Sequence, residues 1–462
     1  MKHKRQFNGK QFVIKTATVG LLLNMLVAPT HSAIAEKAPA ATEAPAATGT
    51  KQAATPAVKI PTVQSLELDL GSAVVLEPTT GEVLLAVNAD KPLPPASMTK
   101  MMTEYLVADA VKNGQLTWEQ KVVVRENASK QIGSRIFLAQ GDEHTVEELY
   151  IAMAVGSAND ATVALAELVS GSEQEFVALM NKTAEKMGMK TAHFINSTGL
   201  NRDDMPSKFR PAEKGETLMS AMDAALLAKY IVTDHPDFTR FTKIQSYQFR
   251  ERDDKPMVNL NWMLESNKSI ANFKAYAYPG LDGLKTGHTS DAGNCFTGTA
   301  VRDGMRLISV VMGANSEAHR FTETKKVLDF GFNNFEIKQV VAPKAVIAGN
   351  ETLPVLKGKK EEVSVVTDDG VTFVVPKGTV SPQITTKLVA NDPATMVAPI
   401  AQASKVGKVT YSYKGEGMSQ TQQKTVNLIT AEEAEKAGWF KLLLRAIGDF
   451  FGDLFTGIKN LF

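Results

Sequence analysis

Pro95-Ala96-Ser97-Met98-Thr99-Lys100 begins the stretch on which the reading of this chain turns. From here Met98, Met101, Met102, Tyr105 and Leu106 return at helical spacing, and Gly114 lies just beyond the end. That pattern predicts a helix with one face in a core. It sets Ser97 at the helix start, beside unpaired backbone N–H groups and the positive end of the helix dipole. Lys100 follows by almost one turn, so its amine comes back toward the same hydroxyl. A lysine acts as a base only without its proton, and both burial and a second nearby cation push its pKa in that direction. Taken alone the S-x-x-K pattern is weak, because a chain of this length shows about one or two by chance at ordinary residue frequencies.

Outward from this helix the pattern changes to strands. Ser72-Ala-Val-Val-Leu76 and Val83-Leu-Leu-Ala-Val87 are short apolar runs around Thr79-Thr80-Gly81, which predicts a hairpin. On the other side Leu149, Ala152, Met153 and Val155 lead into a helical segment that runs through Ala161 to Leu168. Strand character returns at Asn294 to Thr299 and Met305 to Met312, with Asp303-Gly304 as the turn. Strands, then helices, then strands predict an α+β body, an antiparallel sheet with helices packed on it, over residues 63–335. Residues 336–430 hold short β-like runs such as Val363 to Val366, Val371 to Val375 and Val409 to Tyr413, the first pair joined by Asp369-Gly370. They predict a small β-rich accessory domain without a nucleophile–base pair. At 462 residues the chain is too long for one core, in keeping with such a division.

Both ends differ from the middle. Residues 1–35 carry Lys2, Lys4, Arg5, Lys10 and Lys15, an apolar stretch from Val19 to Ala28, and Ala33-Ile34-Ala35 with the A-x-A spacing of a cleavage site. This reads as a secretory signal, or else as an uncleaved anchor, and either way the body leaves the cytoplasm. Residues 36–62, rich in Ala, Pro, Thr and Lys, bury too little to offset their ordering entropy and read as a tether. In the last segment, 431–462, Phe440, Leu443, Leu444, Ile447, Phe450, Phe451, Leu454, Ile458 and Leu461 share one face. Lys441, Arg445, Asp449 and Lys459 lie on the other, which predicts an amphipathic helix in a bilayer interface or docked on the protein's own core.

Bulk composition excludes other classes. Lys plus Arg number 51 and Asp plus Glu 50, so no net charge points to nucleic acid. The one cysteine, Cys295, rules out a disulfide framework and reads as a buried structural thiol. Seven histidines are scattered without an H-E-x-x-H pair, so neither a metal nor a cofactor is called for.

Further elements carry chemistry beside Ser97 and Lys100. In Ser157-Ala158-Asn159 a hydroxyl can pass a proton between Lys100 and a leaving amine, and an amide can bind a substrate amide. A plain helix cap is the alternative for this triplet taken alone. In Lys285-Thr286-Gly287-His288 the glycine lets a substrate backbone pair closely with an edge segment. Lys285 supplies positive charge, and the backbone N–H of His288 with that of Ser97 can form an oxyanion hole.

S-x-x-K, S-x-N and K-T-G in this order are the mark of the penicillin-binding protein and serine β-lactamase group. More narrowly the chain resembles the low-molecular-weight D-alanyl-D-alanine carboxypeptidases, peptidase family S11, of Gram-positive type. The likeness lies in Pro95 to Thr103, in His193-Phe-Ile-Asn-Ser-Thr-Gly-Leu200, in Asp282 to Thr289 and in Ala292 to Thr299. It implies a penicillin-binding fold, a β-rich C-terminal domain and a peripheral anchor on the outer face of the cytoplasmic membrane. It further implies Ser97 as acyl acceptor, Lys100 as proton acceptor, Ser157 as relay and Asn159 as peptide binder. Lys285 and Thr286 would hold the substrate or penicillin carboxylate, with Arg320 assisting. The implied substrate is a peptidoglycan stem peptide ending in D-Ala-D-Ala, with β-lactams as covalent inhibitors and cell-wall synthesis and cell shape as the setting. One departure is Ile270, between Lys268 and Lys274, where some relatives carry an arginine. The competing readings are a serine β-lactamase, disfavoured because no E-x-x-L-N element follows Asn159, and a non-catalytic wall-binding protein, disfavoured by intact Ser97 and Lys100. A transpeptidase would share the same acyl-enzyme.

Overall fold

Alternation of apolar residues builds the central sheet. β1 (Ser72–Glu77) and β2 (Glu82–Val87) form the expected antiparallel hairpin. Val74 and Leu76 of β1 face one core and Ala73 and Val75 the other, as the two-residue period of a strand demands. The computed structural model describes residues 59–418 and 420–459. The expected signal segment and most of the tether lie outside the described residues.

Helix α1 (Lys100–Lys112) follows a single 3-10 turn, Ala96–Thr99, that carries the serine. The expected long helical segment around Ala161 is two helices, α2 (Val146–Gly156) and α3 (Asn159–Ser170). The break is at Ser157, whose backbone is left-handed (φ 56°). Apolar periodicity continues on both sides of this residue, so the pattern alone reads as one helix. Beyond them come α4 (Glu173–Met187) and α5 (Ala221–Asp234). The sheet is completed by β3 (Leu281–Thr289), β4 (Gly293–Arg302) and β5 (Met305–Ala314).

Its order is β2-β1-β5-β4-β3, antiparallel throughout, and the strand with Lys285-Thr-Gly287 is an edge as expected. Met98, Met101, Ala224 and Leu227 pack one face together with Val310 and Met312. On the opposite face α6 (Glu317–Asn334) adds Phe321, Val327 and Leu328. A separate cluster, with Val107, Leu149, Met153 and Leu165, joins α1, α2 and α3 into the helical lobe beside the sheet.

The chain then enters the β-rich region through β6 (Phe335–Val341) and continues as β7 (Thr352–Pro354), β8 (Glu362–Thr367), β9 (Val371–Pro376), β10 (Ile384–Ala390), β11 (Lys405–Tyr413) and β12 (Gln422–Thr430). The expected β8–β9 pair is not a hairpin. β8 lies in a five-stranded sheet ordered β7-β8-β12-β11-β10, whereas β9 pairs with β6. Asp368 accepts from the Asn427 backbone N–H at 2.8 Å and its side-chain amide at 2.6 Å, pinning the end of β8 to β12. Gln422 binds both polar groups of Val374, at 2.9 and 2.6 Å, so β9 is held across the core instead of beside β8. Residues 431–438 belong to this domain through bridges Ile400↔Ala434 and Gly358↔Lys436. The last helix, α7, therefore begins after residue 438 and is described over Trp439–Lys459.

Candidate active site

The serine, the two lysines and the Ser157 turn, dispersed along the chain, converge at the junction of helical lobe and sheet edge. The 3-10 turn at Ala96–Thr99 starts on a strained residue, Ala96, with φ 48°. It is held from two sides by glycines without room for a side chain. A Cβ on Gly199 would sit 1.9 Å from the Ala96 carbonyl oxygen, and one on Gly287 would sit 2.5 Å from that of Pro95 and 3.2 Å from the Ser97 nitrogen. The K-T-G edge thus lies against the backbone that presents the serine, for the steric reason that makes glycine the residue of close approach.

Lys100 Nζ is 3.0 Å from Ser97 Oγ. The amine is buried, and it also meets Asn159 Oδ1 at 2.6 Å and the Thr198 carbonyl at 2.8 Å. A neutral amine has two N–H donors and one lone pair. Two of its three partners are carbonyl oxygens, which only accept, so the lone pair is left for the hydroxyl. Burial holds this amine well below the usual lysine range; the Lys285 charge acts the same way, and Glu104 and Asp160 oppose.

Ser157, at the left-handed break between α2 and α3, accepts from Lys285 Nζ at 2.9 Å. Its observed contact is therefore with Lys285, where the sequence alone pointed to Lys100. Lys285 is itself buried and pushed down to about 8 by burial, with Glu104 opposing and Arg320 assisting. Asn159 is engaged at both ends, since its Nδ2 donates to the Ile132 carbonyl at 2.6 Å. In this arrangement it orients Lys100 through Oδ1 and spends one of its two N–H groups on Ile132. Its neighbour Asp160 accepts from the backbone N–H groups of Ile136, Leu138 and Ala161, fixing the loop that carries Ile132.

Thr286 is buried on the same strand, and His288 turns its ring outward with Nδ1 3.2 Å from the Gly293 carbonyl. Arg320, 3% exposed in the first turn of α6, donates to the Gly287 carbonyl at 3.3 Å. It reaches the K-T-G strand from behind, and its Nε has no partner. Cys295 is fully buried directly across from Gly287, and burial pushes its thiol up to about 11, as befits a structural cysteine.

The Asn196–Gly199 turn lies within the stretch that carries the family resemblance, and its role comes from its place beside Lys100. Asn196 Oδ1 accepts from Thr198 N at 3.1 Å and Gly199 N at 2.7 Å, and so aims the Thr198 carbonyl at Lys100. The N-S-T-G composition marks a tight turn; nothing in it marks the partner. Glu104 was likewise unmarked. It is a buried carboxyl on α1, pushed up to about 7 by burial against the fields of Lys285 and Lys100.

This arrangement can do acyl transfer: an alcohol with a buried amine, a second cation, a relay hydroxyl and a glycine-lined approach. Known proteins share the sequence pattern behind it. The family model described as D-alanyl-D-alanine carboxypeptidase matches residues 58–316, and that for the penicillin-binding protein 5 C-terminal domain matches residues 335–436. The D-alanyl-D-alanine carboxypeptidase DacF of Bacillus subtilis (strain 168) is 34% identical over 379 residues, 82% of this chain and 89% of that relative. DacC of Escherichia coli (strain K12) is 30% identical, covering 82% of this chain and 88% of its own. Among solved structures, penicillin-binding protein 5 from Haemophilus influenzae superposes with a TM-score of 0.64 at 29% identity, covering 82% of this chain and 100% of that one. A peptidoglycan synthesis regulatory factor (PBP3) from Streptococcus pneumoniae gives 0.67 at 30% identity, covering 79% and 99%.

Proposed function

The chain belongs to the D-alanyl-D-alanine carboxypeptidase family, penicillin-binding hydrolases that act on peptidoglycan peptides ending in D-Ala-D-Ala, and on that premise we propose how its residues divide the reaction. Ser97 Oγ attacks the carbonyl carbon of the penultimate D-Ala while Lys100 Nζ takes the hydroxyl proton. The single observation that carries this is the 3.0 Å contact between a partly exposed hydroxyl and a fully buried amine. Asn159 and the Thr198 carbonyl hold the amine's N–H groups, so its lone pair faces the hydroxyl. The developing oxyanion meets the backbone N–H groups of Ser97 and His288, whose approach Gly287 permits. Ser157, gripped by Lys285, hands the proton on to the leaving D-alanine amine. Lys285 and Thr286 receive the terminal carboxylate, with Arg320 adding positive charge behind the strand. Water then attacks the acyl-enzyme and Lys100 again serves as base.

The same reading gives a position in the cell. Residues 1–35 direct export, and α7 rests in the outer face of the cytoplasmic membrane. Among the described residues no helix is long and apolar enough to cross a membrane. On α7, Trp439 (77% exposed) and Phe450 (65%) stand in solvent with Phe440, Leu443, Leu444, Ile447 and Phe451. Lys441 and Arg445 are turned the other way, onto the carbonyls of Lys359 and Gly358 and the Glu361 carboxylate. An apolar face left bare while the basic residues grip the protein supports a helix lying flat in lipid.

Mass spectrometry after incubation with penicillin tests the chemistry. A single adduct on the Ser97 peptide, absent from Ser97→Ala, is expected together with loss of D-alanine release by about 10⁴-fold or more in that variant. D-alanine release that survives Ser97→Ala would overturn the assignment.

A further inference from the structure

Glu104 is the buried charge for which the reaction above has no use. It lies one turn after Lys100 on the same face of α1, is 3% exposed, and its Oε1 has no hydrogen-bond partner. The nearby Tyr150 hydroxyl does not serve the carboxylate: it donates to the Glu104 backbone carbonyl at 3.2 Å. A carboxylate buried without donors is costly unless cations face it. The groups around it are few. Lys100 on α1 and Lys285 on β3 act on it through space, without an ion-pair contact, and Tyr150 on α2 is its titratable neighbour. Asp160 on α3 acts on Lys100, and Arg320 on α6 acts on Lys285.

We propose that Glu104 is the internal counter-ion of the lysine pair, a positioning residue that keeps the proton on Lys285 while Lys100 stays neutral. This rests on the roles given above to Ser97 and Lys100. With Lys100 neutral, Lys285 protonated and Glu104 ionised, the three buried groups sum to zero charge, the least costly way to hold one cation at depth. Lys100 turns its lone pair to Ser97 because its N–H groups are held by Asn159 and the Thr198 carbonyl, while Lys285 donates to Ser157 Oγ and the Thr286 carbonyl, which favours that placement of the proton. During acylation the Ser97 proton moves to Lys100 Nζ as the Oγ–C bond forms and the carbonyl π pair moves onto oxygen. The cluster then carries one positive charge against one negative charge on the oxyanion. The oxyanion pair then re-forms the carbonyl as the C–N bond breaks; the departing nitrogen takes the Ser157 hydroxyl proton, Ser157 is reprotonated from Lys100, and the cluster returns to zero. Glu104 neither gives nor takes a proton in this sequence.

The test compares full-length wild type with Glu104→Gln, Glu104→Leu and Glu104→Asp. The readouts are D-alanine release and acylation by a fluorescent penicillin between roughly pH 5 and pH 10. Lys285 must keep its proton, so wild-type activity falls as pH rises through about 8. Loss of the anion lowers the affinity of Lys285 for its proton. The alkaline limb of Glu104→Gln is therefore displaced downward by about one pH unit. The acid limb moves less, because the carboxyl of the wild type is itself protonated below about 7. Glu104→Leu, which fills the space without an unpaired amide, gives the same displacement, and Glu104→Asp keeps the wild-type limb. A rate loss with unmoved limbs overturns the counter-ion, as does a chain that folds only with an acidic residue here. A wild type without a Ser97 adduct would instead strike the underlying chemistry, so the two failures are told apart.

Discussion

The catalytic body and the C-terminal β-domain bury opposite things. Within the body Lys100, Glu104, Asp160, Glu173, Lys285, Arg320 and Glu323 are all buried. Among the described residues after Asn334 the buried polar side chains are Thr367, Gln422 and Thr430, none charged. Six of these seven lie on helices of the body, a layer that the β-domain lacks among the described residues, and Lys285 alone lies on a strand. Burying a charge costs several kcal/mol before partners compensate, and apolar residues of similar volume are often as stable or more so. Lys100, Glu104 and Lys285 are held there with shifted protonation, whereas Asp160 and Glu173 accept backbone N–H groups. Among its described residues the β-domain buries no charge.

That contrast is sharpest at Lys100→Met. Acylation by penicillin should fall by about 10³-fold with the base removed, while the melting temperature moves little, because relief of a desolvated amine offsets the donors that Asn159 and the Thr198 carbonyl lose. A melting temperature that drops by several degrees would break the comparison, since the buried lysine would then also be holding the fold together. Val409→Ala, at a fully buried site of β11, should do the reverse. It removes about 2 kcal/mol from the β-domain, read by denaturant titration, and leaves the acylation rate within twofold. A matching fall in acylation would mean that the two regions are coupled. The smallest effect on chemistry is expected from Leu444→Asp with Ile447→Asp on the exposed face of α7. Turnover of a soluble peptide is unchanged, and sedimentation with phospholipid vesicles is lost. Retained vesicle binding would leave α7 as a helix that serves only the protein.

The expected β8–β9 hairpin shows where sequence patterning stops. Asp369-Gly370 between two β-runs is a sound turn signal, yet Asp368 and Gln422 tie the flanking strands to different sheets. Ser157 shows the same limit from another side, because apolar periodicity runs through a left-handed break without a mark. Asn159 was legible as part of the site and its partner was not. The residue type announces two donors and an acceptor; only the folded chain says that they meet Ile132 and Lys100.

Sequence alone determined the two hairpins of the central sheet, the helix behind Ser97 and the edge strand of Lys285, because these depend on local periodicity and on short motifs with their own chemistry. Tertiary structure decided the rest. It placed Ser157 on Lys285, aimed the Thr198 carbonyl at Lys100 and buried Glu104 one turn from Lys100. Each of these depends on burial and on fields between groups far apart in the chain, and no local pattern carries that information.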